Sequence, residues 1–353
     1  MRTHSTIRPV LVHDKNCLDV SALSSELHQL CRTVPWRSFL AIAGDWLFIA
    51  AAIVAARLAH HWLAALCALV VIGSRQHALL ILMHDASHFR IHPRKKINDV
   101  LANCFLAWPC FISVEAYRAH HYEHHVHVNT DEDPDWLRKK DNPDWAFPKK
   151  QWHILLIFLR AALYTEAGEI VKALIFRPFL RKRQPTAAEG GEAKGTAAKP
   201  PKSRLKLAYY LSLVAILTAF GWWSNFLFYW MLPLLTFNAL FLRMRSVCEH
   251  FGLYERSHDL NHTRNYHPSL LERIFIAPHN VHYHLDHHLF PAIPFYHLPR
   301  AHRLLMALPD YRENSHQSVS IFTDRQRSVL CDLTGGTRVA AEQEKPVLVA
   351  AMN

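Results

Sequence analysis

The sequence contains no C-x-x-C pair. Its seven cysteines stand at positions 17, 31, 67, 104, 110, 248 and 331, a scatter that argues against a disulfide framework or a zinc ribbon and leaves no rubredoxin-like iron site. There is no H-E-x-x-H, the spacing of the zincin hydrolases. The acidic stretch DEDPDW (131–136) lacks the spacing of an EF-hand loop. No internal repeat is present. The opening MRTHSTIRPVLVHDK has no apolar core of a secretory signal, so the N-terminus is expected in the cytosol. Nothing matches a nucleic-acid-binding motif, so the formal charge of +11 needs another account. Its Lys and Arg cluster beside apolar runs, as in HPRKK (92–96), RPFLRKR (177–183) and RLK (204–206). That is the pattern of the cytoplasmic face of a membrane protein.

Apolar runs and histidine are what the chain does have. Half of its 353 residues are hydrophobic, enough for one large domain. Four segments approach the roughly 20 apolar residues that a spanning helix needs: 38–59, 62–83, 205–223 and 225–244. Four such runs in short-looped pairs favour membrane spans over buried helices of a soluble core. Two other runs are expected not to cross. VLANCFLAWPCFISV (100–114) is short, holds Pro109 and reads as a re-entrant or interfacial hairpin. Residues 152–180 are interrupted by Arg160, Glu166, Glu169 and Lys172 and read as amphipathic helices on the membrane surface. Residues 183–203, rich in Ala, Gly, Pro and Lys, read as a flexible linker.

Arg and Lys flank the outer ends of each pair: Arg32, Arg37, Arg90, Arg94, Lys95 and Lys96 for the first, Arg204, Lys206, Arg243 and Arg245 for the second. The positive-inside rule then puts both termini in the cytosol. The expected fold is an all-α integral membrane protein, four transmembrane helices in two hairpins with a cytosolic helical cap. Its parts are an N-terminal segment (1–37), a membrane domain (38–300) and a cytosolic C-terminal tail (301–353).

There are 27 histidines. The stretch HNVHYHLDHH (279–288) alone could be a metal site, a pH sensor or a solvated segment. The map decides between these, because the clusters gather at one end of the expected spans: HDASH (84–88), HHYEHH (120–125), EH (249–250) and HLDHH (284–288). His84 and His88 are one helical turn apart. His121, His124 and His125 stand at i, i+3, i+4, and His284, His287 and His288 repeat the spacing. With His250 these make nine imidazoles, more than one metal needs and enough for two. Nitrogen-rich, thiolate-free donors suit iron, zinc or copper. A pH sensor needs no repeated boxes, and a metal transporter would carry polar ligands midway through its spans. A membrane zinc hydrolase is the distant alternative.

Three boxes in this order, HDASH, HYEHH and HLDHH, resemble those of the membrane fatty acid desaturase and hydroxylase superfamily. The flanks YRAHHYEHHVHVNTDEDPDW and APHNVHYHLDHHLFPAIPFYHLP are similar to bacterial desaturases beyond the boxes, over about residues 38–300. The resemblance implies a non-haem di-iron centre under four helices, in a bacterial cytoplasmic membrane. Its ligands would be His84, His88, His121, His124, His125, His250, His284, His287 and His288. It also implies O2 as co-substrate and a membrane lipid or acyl chain as substrate. The expected activity is desaturation, with hydroxylation or ketolation of an alkane, lipid or carotenoid as the alternative. No H-P-G-G haem motif is present, so electrons are expected from a separate ferredoxin, rubredoxin or cytochrome b5.

Two departures stand out. Ser246 occupies the place of a metal-associated Asn of some members. His120 also offers the longer box spacing of alkane hydroxylases, although His121 makes the tighter arc. Asp85, Glu249 and Asp286 are candidate acceptors for the second ring N–H of ligand histidines, with His120 and His279 as further outer groups. Asp45 and Arg75 each lie about 12 Å into a span at 1.5 Å per residue and are expected to pair, near the substrate tunnel, because intramembrane charges are usually paired.

Overall fold

The computed structural model describes residues 18–163, 203–253, 259–324 and 326–336. Most of the expected linker, the apolar run beyond 163 and the last residues of the tail lie outside these. Helix α1 is Pro35–Ala59, and α2 is Trp62–Ser87. Helix α3, Lys95–Ala102, continues through a wide turn at Asn103–Ala107 and a tight one at Trp108–Cys110. Past a bend of 90° it becomes α4, Val114–His127. Helix α5 is Gln151–Leu163, α6 is Ser203–Ala219, and α7 is the interrupted Trp223–His250. Short helices α8 (Leu270–Phe275) and α9 (His284–Leu289) follow. Two short strands, β1 (Asn265–Tyr266) and β2 (Gln317–Ser318), pair in parallel.

Among the described residues three helices, α1, α2 and α7, are long and apolar enough to cross a membrane, and the bent pair α3–α4 makes a fourth if it is one broken span. Helix α6, on the third expected span, is shorter at 17 residues. The buried residues of α1 are Ser38, Ile42, Asp45, Ile49 and Ala56, an i, i+3/i+4 stripe that faces its partner. Asp45 belongs to that stripe, so its charge points into the bundle. Helix α2 is central, and its buried residues run almost without break from Ala68 to Ser87. It crosses α7 at Gly73, where a Cβ would come 2.5 Å from the Cβ of Phe237; only glycine allows that approach.

Two helices run further than the apolar pattern suggests. Helix α2 extends through Ser87 and carries His84 on its last turns, while α7 ends on His250 itself. Pro233, which cannot donate an N–H, follows a wide π-type turn at Leu227–Met231, a recognised source of helix irregularity. Residues 301–336 fold back onto the histidines. Tyr311, Leu298 and Leu305 share a buried core with Leu285 and Leu289 of α9.

Candidate metal centre

Each histidine box is presented by a helix end. Ser113 caps α4 by accepting from Ala116 N at 3.4 Å, which starts the helix so that His121, His124 and His125 fall on its buried side. Helix α9 is held from a distance by Asn265 of β1. Its Oδ1 accepts from Leu285 N at 2.9 Å, and its Nδ2 donates to Asp286 Oδ1 at 2.9 Å. All six residues of α9 are buried.

The nine histidines named from sequence form two groups. His84, His88, His121, His125 and His287 bring one ring nitrogen each within 4.8 Å of one another, and so do His124, His250, His284 and His288. In the first, His125 Nε2 lies 2.9 Å from His121 Nε2 and 3.2 Å from His287 Nε2. In the second, His284 Nε2 lies 2.8 Å from His250 Nε2 and 3.1 Å from His288 Nε2. Two nitrogens bound at about 2.1 Å to one metal, at right angles, would stand about 3.0 Å apart. Facing lone pairs repel unless a proton or a cation lies between them. The Nδ1 atoms of His125, His250, His284, His287 and His288 are buried without a hydrogen-bond partner.

Burial holds His284, His287 and His288 well below the ordinary histidine range; nearby imidazoles add to the effect, as does Arg245 for His284 and His287. These rings are therefore neutral and able to donate lone pairs, as metal ligation requires. Thiolate-free imidazole donors are compatible with iron, so the residues present fit such a group.

The acidic residues inside the boxes do not serve as expected. On a helix, each residue turns about 100° from the last, so an acid one or two places after a histidine faces elsewhere. Asp85 comes no closer than 3.7 Å to His84 Nδ1 and accepts instead from Phe295 N at 2.8 Å. Asp286 is bonded by His302 Nδ1 at 2.9 Å, by Asn265 and by the Tyr311 hydroxyl. Glu249 Oε2 lies 3.4 Å from His284 Nε2, the converging nitrogen rather than the outer one, and its Oε1 accepts from Arg245 at 2.8 Å. His120 points outward to Asp135 at 2.7 Å and to Arg138. His279 Nε2 meets Asp45 Oδ2 at 2.7 Å and touches none of the nine by hydrogen bond. Ser246 accepts from Lys139 Nζ at 2.9 Å.

The carboxylate that does hold a box histidine is Asp133, in the DEDPDW stretch. Both its oxygens stand 3.0 Å from His124 Nδ1. It also accepts from Asn129 N and Asp135 N, each at 2.8 Å. A proline after the acid (Asp133-Pro134) is a helix-start signal and was the only hint of a fixed carboxylate there.

Arg75 and Asp45 pair at 3.0 Å. With His279 they form a largely buried triad, centred on the buried Asp45, that ties α1 and α2 to the segment before α9. His279 also lines a small recess of about 10 Å³, together with His84, Asp85, His284, His287, Ile81, Val281, Phe295 and Leu298. The recess therefore touches both histidine groups.

A family model described as fatty acid desaturase matches residues 60–319. Dihydrorhizobitoxine desaturase of Bradyrhizobium elkanii is 28% identical over 309 residues, which cover 86% of this chain and 85% of that one. The match spans all three boxes, His250, Asp133 and Asn265. With three histidine boxes gathered beside helices long and apolar enough to cross a membrane, the chain belongs to the fatty acid desaturase family, a family of membrane oxidoreductases.

Proposed function

We propose that the chain removes two hydrogens from an acyl chain held in the bilayer and leaves a C=C bond. In this reading O2 is the oxidant and electrons come from a separate ferredoxin, rubredoxin or cytochrome b5. The nine histidines would hold two non-haem irons, one for each group. The observation that carries the reading is the division of nine imidazoles, eight of them buried and His88 partly exposed, into two convergent sets. Iron bound there would supply the activation of dioxygen that attack on an unactivated C–H bond requires.

The chain's own residues do the remaining work. Asp133 fixes the ring orientation of His124, so that its Nε2 faces the second group. Asn265 holds the helix that delivers His284, His287 and His288. Ile81, Val281, Phe295 and Leu298 surround the recess between the groups and keep bulk water from it. An apolar cleft of about 500 Å³, lined by Trp46, Leu213, Tyr229 and Trp230 among others, lies in the size range of a small-ligand site and supports an apolar substrate. The flanking Arg and Lys support a cytosolic position for the histidine groups and both termini.

A second reading is favoured by the relative's name, which gives its substrate as dihydrorhizobitoxine rather than a fatty acid. Desaturation of a non-lipid compound would use the same centre. Gas chromatography–mass spectrometry of lipids from cells expressing this chain, with His284→Ala as control, separates the two. A new unsaturated acyl chain, absent from the variant, is expected. A hydroxylated lipid would replace desaturation with hydroxylation. Unchanged lipids beside a dehydrogenated soluble metabolite would establish the second reading.

A further inference from the structure

Between His250 and the third box the chain forms α8, and its surroundings are unusual for a connection within a polar cap. Ser74 Oγ donates to the carbonyls of Ile274 at 3.3 Å and Phe275 at 3.2 Å. The Arg75 guanidinium donates to the Ile274 carbonyl as well. His77 Nε2 lies 3.1 Å from the Ile276 carbonyl. Three side chains from one turn of α2 thus take up carbonyls that the end of α8 cannot satisfy itself, and the Arg75 charge sits at its negative pole. At the other end Ser269 and Glu272 form a reciprocal capping box.

Ser74 is twelve residues from the start of α2 and thirteen from its end, about 18 and 20 Å along the axis. Helix α8 therefore lies beside the middle of a helix long enough to span a bilayer. Its outer face is mostly apolar and bare, with Leu270 73%, Leu271 68% and Ile274 43% exposed; Arg273 is exposed beside them and donates to Asn280 Oδ1 at 3.2 Å, and Glu272 is buried. Phe322, whose N–H bonds Glu272 Oε1 at 2.9 Å, extends the same surface. Irregular chain is tolerated at membrane depth only where protein satisfies its polar groups. Here α2 bonds the C-terminal carbonyls, the capping box of Ser269 and Glu272 closes the other end, and the outward face carries leucine and isoleucine.

We propose that α8 is a re-entrant wedge whose Leu270, Leu271 and Ile274 lie among the acyl chains of the leaflet on the histidine side. The segment that delivers the third box is then anchored in lipid rather than in water. Leu47 of α1, a helix long and apolar enough to cross a membrane, is 69% exposed and gives a reference for a lipid-facing side chain. The inference does not depend on which reaction the centre performs.

The test uses the full chain in phosphatidylcholine vesicles, with Leu271→Trp and, in parallel, Leu270→Trp. Both side chains are exposed, so neither substitution disturbs the core. The added tryptophan emission, variant minus parent, is quenched either by lipid spin-labelled in mid-chain or by aqueous iodide. Leu47→Trp provides the lipid standard, and Leu137→Trp, at an exposed position beside Arg138, provides the water standard. The added emission is expected to be lost to spin-labelled lipid as fully as that of Leu47→Trp, and to resist iodide. Iodide quenching equal to that of Leu137→Trp would overturn the proposal. So would protection from both quenchers, which would mean that protein covers the face.

Discussion

Replacing Asp133 by asparagine tests how the second histidine group is organised. The Asp133 carboxylate is fully buried and accepts from His124 Nδ1 through both oxygens at 3.0 Å. It also accepts two backbone N–H groups. Asn keeps one oxygen, enough for one of the two backbone donors, and removes the charge that fixes the His124 tautomer. Loss of such an outer partner typically lowers metal affinity about 10- to 100-fold, which is roughly 1.4–2.8 kcal/mol. Asp133→Ala also loses the cap of Pro134–Leu137, a further loss of about 1 kcal/mol. The assay is iron content against chelator concentration, read beside the melting temperature. Asp133→Asn should lose iron at lower chelator and lower the melting temperature of the metal-free protein somewhat, because one buried backbone N–H loses its acceptor, while Asp133→Ala should lower the melting temperature further. Wild-type chelator resistance in Asp133→Asn would refute the reasoning.

Other consequences follow from the same geometry. His120→Ala should retain full metal content, because His120 faces Asp135 and Arg138; metal loss in that variant would place it among the ligands. His284, His287 and His288 have folded-state pKa values held below 6.5 by burial. The unfolded chain therefore binds more protons between the two values, and stability is present above about 6.5 and lost as pH falls below it. The melting temperature of the metal-free protein should fall as the pH is lowered from 7 towards 5, and a flat profile would contradict this. Asp45→Asn leaves Arg75, 11% exposed, without its counter-ion; breaking one side of a fully buried pair costs about 3–5 kcal/mol, and this partly buried site should cost less. The melting temperature should drop, and removing both charges together should cost less than the sum of the two single changes.

The histidine boxes were legible because their spacing is local. Less obvious was which ring joins which group, yet the same helical arithmetic holds the answer. Residues four apart diverge by about 40° around a helix, and residues three apart by about 60° the other way. Hence His121 and His125 share one group while His124 turns to the other. His284 and His288 likewise share the second group while His287 turns to the first. The acids were misread for the same reason: proximity in sequence puts Asp85 and Asp286 beside histidines but on other faces. Asp133 and Asn265 act from nine and nineteen or more residues away, across turns that no periodicity encodes. The Asp45–Arg75 contact was legible because each charge is isolated in an apolar run. That His279 completes it, from a chain segment 234 residues distant, was not. The lengths of α2 and α7 were underestimated because an apolar criterion stops where histidines and arginines begin, although the helices continue.

The most direct test of the central claim is a metal count on the purified chain, made with variants that each disable one group. The account predicts two irons per chain, and one in His84→Ala/His88→Ala, with one again in His250→Ala/His284→Ala. A single zinc in the parent protein, or two irons surviving in either double variant, would contradict it.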